Sequence, residues 1–279
     1  MTRHIVVGVD GSAPATAAVE WAAADAQRRG RPVRIVHVCE QWSYAGHGTQ
    51  YCAGMLAAAA DRARALTRDV EVATQLLCGK VIGTLIGESV TADSVVLGSR
   101  GLGGFAGMLL GSVGMGVAGH AAGPVVIVRR TSVVEHGQVV VGDDGSEHSD
   151  AAIRYAVDQA RARGVPLRVL YAWQAPVISP YAAAYQTLLE DAFELQSLAA
   201  AERVAPWRER NPDVRIVDEQ VPGHPVNVLI TAGGTADLVV MGSRGRGGFA
   251  SAVLGSVGHA VLHRLTCPAA VVRPRAEGT

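Results

Sequence analysis

The chain has 279 residues, of which 49% are hydrophobic, 18% charged and 33 are glycine. That apolar content supports a sizeable core and excludes global disorder, and the length suits two domains of about 140 residues better than one. Lys+Arg 25 balances Asp+Glu 25, so charge supports neither a nucleic-acid-coating role nor a membrane-surface one.

Met1 to His4 leads into an apolar run that Asp10 ends, too short for the core of a secretory signal. Ile5 to Val9, Val33 to Val38, Val70 to Leu77, Ser94 to Leu97 and Val125 to Val128 read as strands. Thr16 to Arg29 and Ala53 to Arg68 read as Ala-rich amphipathic helices. The order is β-α-β-α-β-α-β-α-β. Near-continuous apolar strands joined by helices predict a parallel sheet covered on both faces, a doubly wound α/β unit with its crevice beyond the strand C-termini.

Phe105 to Val128 has no formally charged residue and is long enough to imitate a membrane span. It is dense in glycine and broken by Pro124, so a buried helix followed by a buried strand is expected. The four cysteines, Cys39, Cys52, Cys78 and Cys267, form no CxxC pair. Neither a zinc site nor a disulfide framework is readable from their spacing, and a reduced cytoplasmic compartment fits them.

The landmarks of the first half return in the second. Val6-Val7-Gly8-Val9-Asp10-Gly11-Ser12 recurs as Val140-Val141-Gly142-Asp143-Asp144-Gly145-Ser146. Ala92 to Gly101 recurs as Ala236 to Gly245, and the Gly-Ser-Val triplets at 111 and 255 and the prolines at 124 and 268 complete the match. The offset grows from 134 to 144 residues, so the second copy is longer between its second strand and the Gly223 region. The polar stretch Thr131 to Gln138 separates the copies, which sets expected domains of 1–133 and 134–279.

After the fourth strand come Gly98-Ser99-Arg100-Gly101, nine residues, and Gly111-Ser112 at a helix start; the second copy has Gly242-Ser243-Arg244-Gly245 and Gly255-Ser256 at the same spacing. Such glycines and helix N–H groups can cradle a phosphate, or they can simply form a tight strand-to-helix turn with a loop. Asp10 and Asp144 can accept ribose hydroxyls, although helix capping is the commoner use of that position. Asp143, Glu147 and Asp150 read as a solvated helix start. Gly114 to Gly119 fits GxGxxG but follows a helix start, and His37 reads as a satisfied core group. His259 and His263, one helical turn apart, read as a helix face. Lys80, the single lysine, reads as a surface helix-start residue. Tyr171, Trp173, Tyr181 and Tyr185, like Trp42, Tyr44 and Tyr51, follow the second strand of each copy and could shelter an adenine or pack under a loop.

Taken together, these motifs resemble the universal stress protein family over almost the whole chain, twice, as in its tandem members. The resemblance implies a five-stranded parallel α/β unit of the adenine nucleotide alpha hydrolase-like fold in each half. It also implies ATP, with Mg2+, as the ligand of members whose glycine motif is complete, as both are here. Carried over by position, it places Asp10 beside the adenosine, the Val38 backbone at the adenine edge, Leu97, Gly98, Arg100 and Gly101 along the ribose and phosphate path, and Gly111, Ser112 and Val113 at the phosphates. The second set is Asp144, Ala172, Met241, Gly242, Arg244, Gly245, Gly255, Ser256 and Val257. Arg100 and Arg244 are expected to act through backbone groups or through charge.

Two departures stand out. Gly114 and Gly258 occupy a position where many relatives carry a small hydroxyl residue, which bears on one phosphate contact. Gly223-His224-Pro225 has the usual start of the third helix, whereas the first copy has Gly79-Lys80-Val81. The implied role is a nucleotide-dependent regulatory module in stress response with a protein partner the sequence does not name. Its domains are expected to pair through the hydrophobic last strands, with a homodimer also in keeping with family habit. A slow ATPase or nucleotidyl-transfer enzyme, and a nucleotide-independent scaffold, are the alternatives.

Overall fold

The structure, a computed structural model, describes residues 3–39, 47–103, 110–130, 134–173, 186–246 and 254–275. In the first half, β1 (Ile5–Gly8), β2 (Val33–Cys39), β3 (Val72–Cys78), β4 (Ser94–Gly98) and β5 (Val125–Val128) alternate with α1 (Ala13–Arg29), α2 (His47–Leu66), α3 (Val81–Ser89) and α4 (Ser112–His120). The second half repeats the order with β6 (Val139–Asp143), α5 (Glu147–Arg163), β7 (Leu167–Trp173), α6 (Gln186–Arg210), β8 (Ile216–Pro222), α7 (Pro225–Gly233), β9 (Leu238–Gly242), α8 (Ser256–Arg264) and β10 (Ala269–Val272). The expected junction near residue 133 lies outside the described residues.

Local chemistry sets the boundaries. α1 begins before the expected Thr16 because Ser12 caps it, accepting a hydrogen bond from the Ala15 N–H at 3.3 Å, and because Pro14 suits a first turn. Gly30 and Gly164 end α1 and α5 in the left-handed region, at φ 60° and 65°, where a side chain would be strained. The ten extra residues of the second copy divide equally: α6 is five residues longer than α2, and the connection before it is five longer as well. Replacing the cap, Ser12→Ala, is expected to cost about 1 kcal/mol in a urea melt.

The strands run β3-β2-β1-β4-β5 in one half and β8-β7-β6-β9-β10 in the other, parallel within each. β5 and β10 then pair antiparallel, with Ala270 opposite Val126, which fuses the halves into one ten-stranded sheet. Every residue of both strands is buried. An open edge this apolar would invite pairing with another chain, and here each copy covers the other's. One core, under α1, α2, α5 and α6, runs along one face of the whole sheet; a second lies under α3, α4, α7 and α8.

Arginines bind the halves across the seam. Arg129 donates to the Leu262 carbonyl at 2.5 Å, Arg273 to that of Gly119, and Arg275 to those of Ala92 and Asp93 at 2.6 and 2.9 Å. The apolar run ending at Val128 is, where described, α4 followed by β5. Among the described residues no helix is long and apolar enough to cross a membrane.

Candidate functional site

In each half the strand order reverses between the first and fourth strands, so the chain leaves β1 and β4, and likewise β6 and β9, in opposite directions. A crevice opens beyond their C-terminal ends. It holds a cavity of 330 Å³ in the first half and 430 Å³ in the second. All nine residues expected at the first site line the first cavity, and all nine of the second set line the second.

Of the residues that could cap the helices here, the serines do so, and the aspartates hold the loop. Ser12 and Ser146 cap the helices. Asp10 accepts from the Ser12 N–H at 3.0 Å with one oxygen and, with the other, from the Leu102 N–H at 2.9 Å. Asp144 repeats this with Ser146 at 3.1 Å and Arg246 at 3.0 Å. Each carboxylate thus clasps the glycine loop to the end of the first strand. The Ser12 hydroxyl adds a bond to the Arg100 carbonyl at 3.2 Å, so the observed part of Arg100 in the clasp is its backbone.

The glycines of the motif answer to different constraints. A Cβ on Gly98 would lie 2.6 Å from the Pro14 carbonyl carbon, and one on Gly242 2.9 Å from that of His148, so these two let the helix close on the strand. On Gly101 and Gly245 a Cβ would lie 2.3 Å from the clasping oxygen of Asp10 and Asp144. Gly111 and Gly255 differ: among the described residues a Cβ there meets nothing nearer than 3.6 and 3.5 Å, so none of these residues requires glycine. Both are N-caps, of α4 and α8, and neither helix start has a side-chain cap. The N-terminal dipole and N–H groups of these two helices therefore face a cavity.

The walls are not identical. In the first cavity the His37 Nδ1 is 2.7 Å from the Val9 carbonyl, the satisfied histidine expected, although it sits on the cavity wall. The second half has Tyr171 in place of His37 and Asp143 in place of Val9. The solvated helix start expected around Asp143 is corrected here: Asp143 is only 5% exposed and pairs with Arg203 of α6 at 3.0 Å. It also accepts from Ser149 and Gly145, each at 2.9 Å, and Arg203 lies over the Tyr171 ring at 5.4 Å. Burial, then the Asp143 charge, pushes the nearby Asp150 carboxyl above its ordinary value.

Ser243, fully buried, lies 3.0 Å from the His148 Nδ1, a contact no spacing announced. Burial, then Arg244 and Arg273, hold that imidazole below its usual pKa. Of the aromatics, Tyr171 lines the second cavity, Trp173 packs on Phe193 at 5.1 Å and Tyr51 lies away from the first cavity; Trp42, Tyr44, Tyr181 and Tyr185 fall outside the described residues. Lys80 is the exposed N-cap of α3 and does not line the cavity, whereas Val81 does. His259 and His263 lie ring to ring on α8 at 4.7 Å.

A family model described as the universal stress protein family matches residues 1–129 and 136–273. A universal stress protein of Mycolicibacterium smegmatis is 36% identical over 292 residues, covering 97% of each chain, and one from Mycobacterium tuberculosis is 36% identical over 289 residues, covering 96% of each. The chain belongs to the universal stress protein family. It is a tandem member, with the family domain twice. A universal stress protein structure from Archaeoglobus fulgidus, 20% identical and covering 97% of this chain and 98% of its own, superposes with a TM-score of 0.70 and shows the same fold. As a universal stress protein the chain has two crevices alike in their glycine loops and unlike in their walls.

Proposed function

We propose that each half, 1–133 and 134–279, binds one ATP, and that the bound nucleotide sets the shape of the glycine loops for a protein partner in a stress response. The observation that carries this reading is the pair of uncapped helix starts at Gly111 and Gly255, opening into crevices at the switch points of a doubly wound sheet. A helix N-terminus with glycine at its cap admits a phosphate closely and meets its charge with a favourable dipole. The other end of each cavity is apolar, with Val38, Leu85 and Leu97 in the first and Ala172, Leu229 and Met241 in the second, suited to a base. The volumes fall in the range of small-ligand pockets, about 300–1,000 Å³.

In this reading the oxygens of Asp10 and Asp144 that clasp the loop exchange their N–H partners for ribose hydroxyls when the ligand enters. Mg2+ rides on the phosphates and water, as this hard cation commonly does. The four cysteines form no disulfide, which suits the cytoplasm.

The test is mass spectrometry of nucleotide released from protein purified without added ATP, then calorimetric titration of ATP and Mg2+ into stripped protein. Two equivalents of unequal affinity are expected, because Asp143 lines the second cavity where Val9 lines the first. No binding by folded protein would overturn the proposal. Accumulation of ADP in the same cell would instead favour the slow-ATPase alternative.

A further inference from the structure

Behind the first cavity lies a set of donors of a different kind. Among the described residues, His37, Cys39 and Cys52 each bring a ligand atom to within 4.8 Å of the others. His37 and Cys39 are two apart on β2, so both project from the sheet face whose core includes α2, and Cys52 meets them from that helix. The two sulfurs are 3.1 Å apart, without a disulfide, and both cysteines are buried. We propose that His37, Cys39 and Cys52 form a site for a thiophilic metal ion, Zn2+ in the reduced protein.

The donor set fits that ion and excludes the hard ones. Two thiolates and an imidazole are ligands of Zn2+, whereas Mg2+ and Ca2+ seek oxygen. A neutral His37 that donates its Nδ1 proton to the Val9 carbonyl keeps its lone pair on Nε2, and a carbonyl on the far nitrogen is the usual way a protein orients a metal-binding histidine. As each S–Zn bond forms, the thiol gives its proton to solvent, so Zn2+ plus two thiols becomes a neutral centre and two released protons. Neutrality matters because a lone dication would be costly to bury. The sulfurs must part from 3.1 Å to about 3.8 Å, the edge of a tetrahedron with Zn–S bonds of about 2.3 Å. Water completes the shell.

The second half supplies an internal comparison. Its register places Tyr171 and Trp173 on β7 where the first half has His37 and Cys39 on β2, and no thiol or imidazole replaces them. One ion per chain is therefore expected.

The probe is Co2+ titrated into the reduced full-length protein without oxygen, followed by Zn2+. The expected result is one equivalent of Co2+ showing thiolate-to-metal charge transfer and strong tetrahedral d–d bands, both erased by Zn2+. In the double variant Cys39→Ser, Cys52→Ser the charge-transfer band disappears and Zn2+ affinity falls at least 100-fold. Weak octahedral absorption alone, or an unchanged band in the double variant, would overturn the proposal. X-ray absorption of the Zn2+-loaded wild-type protein decides the matter even if the variant fails to fold. Two sulfurs at about 2.3 Å with nitrogen at about 2.0 Å support the site, and a shell of oxygen and nitrogen alone overturns it.

Discussion

Protein carrying Gly101→Glu together with Gly245→Glu is expected to purify without nucleotide and to bind ATP at least about 100-fold more weakly, a loss of about 2.7 kcal/mol per site. Two causes add. A Cβ at either position would lie 2.3 Å from the clasping oxygen of Asp10 or Asp144, so the carboxylate must rotate away from the place where it would receive the ribose. The new carboxylate then stands on the cavity lining with the same sign as the phosphates. The fold should survive, because the atom that must move is the end of a side chain and both glycines are exposed.

The paired alanine variants, Gly101→Ala with Gly245→Ala, separate the causes. They displace the aspartates without adding charge, and about tenfold weaker binding, near 1.4 kcal/mol, is expected. Calorimetry gives the affinities, and circular dichroism with a thermal melt checks the fold. A folded glutamate double variant that still retains ATP would show the nucleotide site to lie elsewhere.

Much of this arrangement was legible in the sequence because duplication writes each landmark twice. Buried parallel strands read as apolar runs, and turns keep their glycines, so the order of elements was legible, while the two sets of cavity residues came from the resemblance to the universal stress protein family. What spacing could not supply is which partner each residue meets. Asp10 and Leu102 are 92 residues apart, and nothing between them announces that one clasps the other. Gly98 and Gly101 look like one motif, yet one makes room for the Pro14 backbone and the other for a carboxylate. Asp143 resembles a solvated helix start because its partner, Arg203, lies 60 residues on in the lengthened helix. The spacing of His37, Cys39 and Cys52 announces no common site for the same reason, since a strand and a separate helix supply them.

The seam between the halves gives the clearest case, and a large expected effect. Asp25→Ala should destabilise the whole chain by about 3–5 kcal/mol, read as a lower urea midpoint at constant slope by circular dichroism. With a repeat offset of 134, Trp21, Asp25 and Arg29 of α1 correspond to Tyr155, Gln159 and Arg163 of α5. The antiparallel pairing of β5 with β10 turns these triplets to face one another. Arg29 lies over the Tyr155 ring at 5.9 Å and Arg163 over the Trp21 ring at 5.6 Å. Asp25, wholly buried, accepts from Arg29 at 3.1 Å and from Arg163 and Gln159, each at 3.3 Å.

Two true copies would set carboxylate against carboxylate at this axis. With glutamine in the second copy, one anion serves both arginines and an amide donates to it. Its removal strands Arg163, whose side chain is 8% exposed, hydrogen-bonded to Gln159 and lying over the Trp21 ring, whereas Arg29 keeps its bidentate bonds to Asp93 at 2.8 and 2.9 Å. Arg163→Ala is therefore expected to cost less than Asp25→Ala, because Asp25 retains Arg29. The double variant should cost less than the sum of the two by at least about 1 kcal/mol, as it no longer leaves a buried charge without its partner. Strict additivity would mean that the two side chains do not act together and that the seam is held by β5, β10 and the arginines beyond them.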